Sequence, residues 1–543
     1  MFRNCKNVYF LSILVFFFIP TSPSLGQSSD TVVTTPKQTL TAEQLSADIA
    51  ALNKNKKLRI AVSAYLDSSL NAGDLSRFLP ASTVKIITSA MALETLGPEF
   101  QFKTRIKWRR VDNATITQLK IFGSGDPTFG LSPFESSSSA RFREFAKKLK
   151  AQGIRSIWGP IEAIPNERLE LPPPESEAYT DIDEMACYGA LANSFNYRGN
   201  CSNLVIAGKS KVYWEEPAIR APIYNQLKWG DRTHVKIDVL LDKSGLRRGY
   251  RIYGTWKQAC KELPQPEDPQ KPNPPSEAEV KEPLPKAPAP CETIDAPDEN
   301  ALYYPTAVSH TKNWTLMKFV RELQRQGIQW KRTKKLEDIN TFPKESDTLF
   351  SAPLTDLLTV QNKNSTNLIS EALFKQIGLA YDFNDSPILS AQLALQKRFE
   401  QWGPTVGLPE LNTHISIVDG SGISRYNQST SEGLLGILRY ILSQSYFSIL
   451  RDTLAIYGED GTLESRLPHL PPRYRIYAKT GTLNGHYNIA GFLPTASSNS
   501  GNPIHFVPFV IFTESLPSQD WRARRVQDQL VIKLLDSAQN SPP

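Results

Sequence analysis

About 70 residues at the C-terminal end restrict the fold more tightly than any other part of the chain. Arg473–Lys479 alternates apolar and polar side chains like a strand, Asn484-Gly485 supplies a two-residue hairpin turn, and the alternation returns over Tyr487–Leu493. His505–Thr513 reads as a third strand. Asp520–Ala538 then spaces its apolar residues with the period of a helix lying across a sheet. An antiparallel sheet covered by a terminal helix is expected. Upstream the same mixture recurs, with strands over Leu58–Tyr65 and Arg105–Trp108 and an amphipathic helix over Phe142–Gln152, so the fold class is mixed α+β.

A chain of 543 residues is too long for one hydrophobic core, because single cores stop growing at roughly 250 to 300 residues. Two or three domains are expected. Residues 1–26 read as a signal peptide: Arg3 and Lys6 are the positive region, Val8–Ile19 the apolar run, and Ser24-Leu25-Gly26 the small-residue cleavage site. That run is short of the ~20 residues that cross a bilayer. An exported protein is expected, periplasmic or extracellular, with no transmembrane span in the mature chain and room for a peripheral contact with wall or membrane.

With 40% hydrophobic and 22% charged residues the chain is neither collagen-like nor disordered throughout. A net charge of +7 over this length is small. The densest basic stretches, Trp330–Lys335 and Trp521–Arg525, read as solvated faces, and no nucleic-acid partner is expected. Once Cys5 leaves with the signal peptide, Cys187, Cys201, Cys260 and Cys291 remain. Two disulfides suit an exported protein; Cys187 with Cys201 and Cys260 with Cys291 close the shortest loops. There is no CxxC and no HExxH, so neither a metal nor another cofactor is expected. Leu263–Pro290 is crowded with Pro, Glu and Lys and reads as a disordered excursion stapled at its base.

Three short stretches carry chemistry. Pro80-Ala81-Ser82-Thr83-Val84-Lys85 opens a helical segment ending at Gly97-Pro98. Three residues apart, Ser82 and Lys85 share a helix face, with Ser82 in the first turn where free N–H groups collect. A neutral lysine can serve as base to a serine nucleophile once its pKa falls from ~10.4 toward ~7 to 8. Asn364-Ser365-Thr366-Asn367 precedes a helix over Leu368–Ile377, and Lys479-Thr480-Gly481-Thr482 ends a strand, where Gly481 would let a substrate backbone approach. Each alone has a plain structural reading: an N-cap, a helix cap, a strand end.

Together, in this order, SxxK, SxN and KTG resemble the serine penicillin-recognising enzymes. The chain is most similar there to the D-alanyl-D-alanine carboxypeptidase/endopeptidase family of low-molecular-mass penicillin-binding proteins. Gly125-Asp126-Pro127-Thr128, Asp419-Gly420-Ser421-Gly422-Ile423-Ser424-Arg425 and the long stretch between Ser82 and Ser365 carry the resemblance further.

It implies a β-lactamase/transpeptidase-like catalytic domain, an antiparallel sheet flanked by helices, made from residues 27–102 and 321–543. Mostly-β domains would be inserted over 103–320, with the excursion 263–290 as an extra. It also implies a serine-type D-Ala-D-Ala carboxypeptidase/endopeptidase that acts on peptidoglycan stem peptides and is inhibited covalently by β-lactams. Ser82 would be the nucleophile, Lys85 its base and Ser365 the proton relay. Asn367 would hold the substrate amide and orient Lys85. Lys479 would hold the substrate carboxylate, helped by Thr480 and Thr482, and its charge would help keep Lys85 neutral. The N–H groups of Ser82 and Thr482 would form the oxyanion hole. Thr366 stands where the family often has Asp. The competing readings are a serine β-lactamase, which lacks support because Leu408 occupies the place of a deacylating Glu beside Pro409-Glu410-Leu411-Asn412, and a catalytically silent wall-binding scaffold.

Overall fold

The computed structural model describes residues 40–540 apart from 56, 172–185, 218, 220, 231, 242–246, 258, 263–290, 295–300, 309–310, 333–344, 472–473, 496–504 and 516–519. The expected signal peptide and excursion lie outside these residues. The described chain begins with helix α1 (Ala42–Leu52) and a hairpin of β1 (Arg59–Tyr65) and β2 (Ser69–Gly73), then enters helix α2 (Val84–Leu96). Strands β3 (Lys103–Arg110) and β4 (Thr115–Phe122), helix α3 (Ala140–Ala151) and strand β5 (Ser156–Ile164) follow. After several small sheets come helix α4 (Thr311–Arg325), β6 (Gln329–Lys331) and β7 (Glu345–Phe350). The chain then runs through helices α5 (Leu354–Lys363), α6 (Asn367–Tyr381), α7 (Pro387–Thr405) and α8 (Ser431–Leu442). It ends with β8 (Ala455–Ile456), β9 (Tyr477–Leu483), β10 (His486–Pro494), β11 (Phe506–Glu514) and α9 (Asp520–Ala538).

The principal sheet has the order β8-β9-β10-β11-β1-β2 and is antiparallel throughout. Its two ends of chain meet where β1 pairs with β11, Ala61 opposite Phe512. The β9–β10 hairpin turns at Asn484-Gly485, with Gly485 at φ +83°. Strand β9 starts at Tyr477, later than the alternation from Arg473 suggests. Helix α9 covers one face with Ala523, Val526, Leu530, Val531, Leu534 and Leu535, spaced three and four apart. Helix α8 covers the other face, its N-terminus capped by Thr430, whose Oγ1 accepts from Gly433 N–H at 3.0 Å.

Helix α2 is apolar nearly all round and correspondingly buried, among α5, α6 and the sheet. It stops at Gly97, whose φ of +81° only glycine adopts easily. A second sheet, β6-β5-β4-β3-β7, combines parallel and antiparallel pairs and packs one face on α3 and α4 through Ile106, Trp108, Phe142, Phe145 and Phe319. Two smaller three-stranded sheets lie between residues 201 and 307. Among the described residues no helix is long and apolar enough to cross a membrane.

Cys187 and Cys201 are joined as expected. The backbones of Ala259–Glu262 and Cys291–Ile294 pair antiparallel, so the chain closes on itself at the base of the excursion. The side chains of Cys260 and Cys291 lie outside the described residues.

Candidate active site

Ser82 sits in a short 3-10 turn, Ala81–Thr83, immediately ahead of α2. The first turn of the α-helix itself begins at Val84. Ala81 has φ +50°, a left-handed conformation that a residue with a Cβ adopts only when its surroundings enforce it. Two glycines make the enforcement possible. A Cβ on Gly422 would lie 2.0 Å from the Ala81 carbonyl oxygen, and one on Gly481 would lie 2.7 Å from that of Pro80. The close approach expected at Gly481 is thus made by the protein's own serine turn, which fills the space assigned to a substrate backbone.

Lys85 follows one turn later and is fully buried. Its Nζ donates to Ser82 Oγ at 2.9 Å, to Asn367 Oδ1 at 2.6 Å and to the Ser421 carbonyl at 2.6 Å. Burial pulls its pKa down to about 7, against the opposing attraction of Asp419 and Glu371. Burial, with repulsion from Lys85 added, holds Lys479 well below the usual lysine range. Desolvation is thus the leading cause of the fall at both lysines.

The second motif occupies the corner between α5 and α6. Asn364 ends the first helix and Thr366 precedes the second without a side-chain cap bond, so capping does not account for these residues. Ser365 takes φ +57°, a second strained non-glycine position at the site. Its Oγ accepts from Lys479 Nζ at 2.9 Å, and Lys479 also donates to the Thr480 carbonyl at 2.9 Å. Asn367 opens α6, turning its Oδ1 to Lys85 and its Nδ2 to the Tyr188 carbonyl at 2.7 Å. Tyr188 follows Cys187, so the disulfide steadies a loop touching the site.

The third motif lies on β9. Its only neighbour on the outer side among the described residues, β8, pairs at Tyr477 and Ala478 and goes no further. From Lys479 onward that strand edge is open. Lys479 is fully buried, Thr480 half-buried and Thr482 exposed, with Thr480 Oγ1 donating to Thr462 Oγ1 at 2.8 Å.

Ser82, Lys85 and Asn367 thus form one bonded group and Ser365 with Lys479 another, joined through residues 365–367. Thr480 and Thr482 border them.

Two acids support the site, Glu371 outside every stretch singled out in the sequence and Asp419 within one of them. Glu371 Oε1 accepts from Ser421 N–H at 2.8 Å, fixing the carbonyl that meets Lys85. Asp419 accepts from the N–H groups of Gly422 at 2.6 Å and Ser424 at 2.7 Å, shaping the same loop. Burial raises Glu371 to about 7, with Asp419 adding to the shift. The only signal for Glu371 is an acidic residue flanked by the apolar Leu368, Ile369, Ala372, Leu373 and Phe374. Asp126, in the other stretch of resemblance, is buried in an ion pair with Arg141 at 2.7 Å. It braces the region between the motifs. Among the described residues no cluster of side chains suits a metal ion.

A profile of the D-Ala-D-Ala carboxypeptidase 3 (S13) family matches residues 44–263 and 296–533. A Haemophilus influenzae protein named D-alanyl-D-alanine carboxypeptidase DacB is 31% identical over 228 residues, 41% of this chain and 45% of that protein. The match therefore spans under half of that relative's length. A D-alanyl-D-alanine carboxypeptidase of Actinomadura sp. strain R39 is 22% identical over 525 residues, covering 91% of this chain and 84% of the relative. The crystal structure of Haemophilus influenzae penicillin-binding protein 4 complexed with a β-lactam superposes with a TM-score of 0.60 at 21% identity, covering 90% of this chain and 98% of that one. That likeness shows that the chain has the fold of that protein.

Proposed function

Because the chain belongs to the D-Ala-D-Ala carboxypeptidase 3 (S13) family of low-molecular-mass penicillin-binding proteins, we propose that it is a serine hydrolase of D-Ala-D-Ala peptides, both carboxypeptidase and endopeptidase, working through an acyl-enzyme on Ser82. One observation carries the reading. A serine hydroxyl stands 2.9 Å from a fully buried lysine whose other two partners, Asn367 Oδ1 and the Ser421 carbonyl, only accept. A neutral amine has two hydrogens and one lone pair. Spending the hydrogens on those two acceptors leaves the lone pair for the Ser82 proton.

In this mechanism Lys85 takes the hydroxyl proton as Ser82 Oγ attacks the carbonyl carbon of the penultimate D-Ala. Negative charge gathers on the carbonyl oxygen, facing the N–H groups of Ser82 and Thr482. Ser365 passes the proton to the departing D-Ala amine, and water then releases the acyl group by the reverse route. Lys479 receives the substrate carboxylate, whose negative charge favours the protonated amine that burial and Lys85 disfavour. The open edge of β9 offers backbone groups to an extended peptide. Asn367 holds the amide and Lys85 together.

We also propose a catalytic body made from the two ends of the chain with the intervening residues inserted. Pairing of β6 with β5 and of β7 with β3 favours drawing the distal boundary near Phe350. The signal peptide implies export and a periplasmic or extracellular wall substrate.

The test is exposure to benzylpenicillin followed by intact mass. One stable adduct is expected on the parent and none on Ser82→Ala. Rapid turnover of the penicillin would favour the β-lactamase reading. No adduct on a folded parent would leave the scaffold.

A further inference from the structure

A cleft of about 970 Å³ opens where the second sheet meets the far ends of α2 and α6, lined by Leu96–Lys103, Arg105, Lys107, Phe122 and Gln376 among others. Alternation along β3 turns Thr104, Ile106 and Trp108 inward and Lys103, Arg105 and Lys107 outward into this cleft. Successive outward residues of a strand are ~7 Å apart, so three cations form a row of ~14 Å. None of the three has an ion-pair partner among the described residues, and Glu99 is the only acid in the lining. Lys107 lies over the ring of Phe122, 5.4 Å from its centroid. Phe350, opposite Lys103 in the sheet, is 48% exposed at the same rim.

We propose that this cleft binds a carboxylate-bearing strand of the cell-wall polymer, holding substrate at a second point away from Ser82. The inference rests on the peptidoglycan reading above. Its physical basis is a regular row of cations, without ion-pair partners among the described residues, beside aromatic faces in a concave space. Lys103 and Arg105 are exposed and Lys107 half-buried along one wall of the concavity, a shape that takes a single extended strand, whereas a flat bilayer meets a flat or convex face. Placement fits as well: the thirteen residues of α2 separate the cleft from the serine turn, which at 1.5 Å per residue is ~20 Å. A polymer longer than one stem peptide spans that distance and a short peptide does not.

The test compares the full chain with its Lys103→Ala/Arg105→Ala/Lys107→Ala variant in co-sedimentation with insoluble peptidoglycan, and in parallel with phosphatidylglycerol vesicles. Loss of three screened contacts is expected to weaken peptidoglycan binding about tenfold. The difference should shrink when the wall carboxylates are amidated or the salt is raised. Benzylpenicillin labelling and turnover of a short D-Ala-D-Ala peptide are expected at parental rates. Equal binding of parent and variant to peptidoglycan would overturn the proposal, as would a loss confined to the vesicles. Failure of the parent to label at Ser82 would overturn the acyl-enzyme reading instead, and is read in a separate measurement.

Discussion

Lys85 and Lys375 are both buried lysines on helices of the body that carries the motifs, and burial lowers both, to about 7 and about 8. Their surroundings differ. Lys375 Nζ donates to three backbone carbonyls, those of Leu169 at 2.6 Å, Ala192 at 2.8 Å and Leu171 at 3.3 Å, all from the region between the first two motifs. Carbonyls only accept, so a neutral amine there would leave one unpaired. Lys85 meets two such acceptors and one hydroxyl, and a hydroxyl also donates. The same residue type, buried in both places, becomes a rivet in one region and a base in the other because of a single partner atom. Depressed lysine pKa values mark both places; only the partner's ability to give up a proton separates them.

The contrast can be broken most forcefully at Lys85. Lys85→Met should slow acylation of Ser82 by penicillin ~10²- to 10⁴-fold, the usual worth of a positioned base. The fold should persist with a loss of about 1–3 kcal/mol, because the buried Ser421 carbonyl loses its donor, while Asn367 is only partly buried. Lys375→Met should do the reverse: a loss of about 2–5 kcal/mol in denaturant unfolding, from carbonyls left unpaired in the interior. Acylation per folded molecule should stay near the parental rate. If both variants lost acylation alike, the distinction between rivet and base would fail.

A smaller effect sharpens the account. Glu371→Gln keeps an oxygen for Ser421 N–H while removing a negative charge that holds the Lys85 pKa up. The acid limb of the acylation profile should therefore move to lower pH. A shift upward would contradict the assigned direction.

The terminal sheet and helix were legible because their signals are local: two-residue alternation, an Asn-Gly turn and a helical period each lie within a few residues. The three motifs were legible through their order along the chain. What the sequence could not disclose were contributions made by backbone. The carbonyls of Ser421 and Tyr188 contact Lys85 and Asn367, yet every residue carries a carbonyl, so no side-chain pattern announces them. Strand β9 begins at Tyr477 because its partners β8 and β10 set its length, which alternation from Arg473 could not report. Lys375 had a weak signal, a lone cation amid Ile369, Ala372, Leu373, Phe374 and Ile377. Its purpose depended on chain nearly two hundred residues away.

The most direct test is the rate of Ser82 acylation by benzylpenicillin as a function of pH, followed by intact mass. Burial places the Lys85 pKa at about 7, so the free base is scarce below that value and predominant above it. The rate should climb about tenfold per unit through the acid range and level off near pH 7. A profile flat from about pH 5 to pH 9 would mean that no group with such a pKa takes the serine proton, contradicting the role given to Lys85.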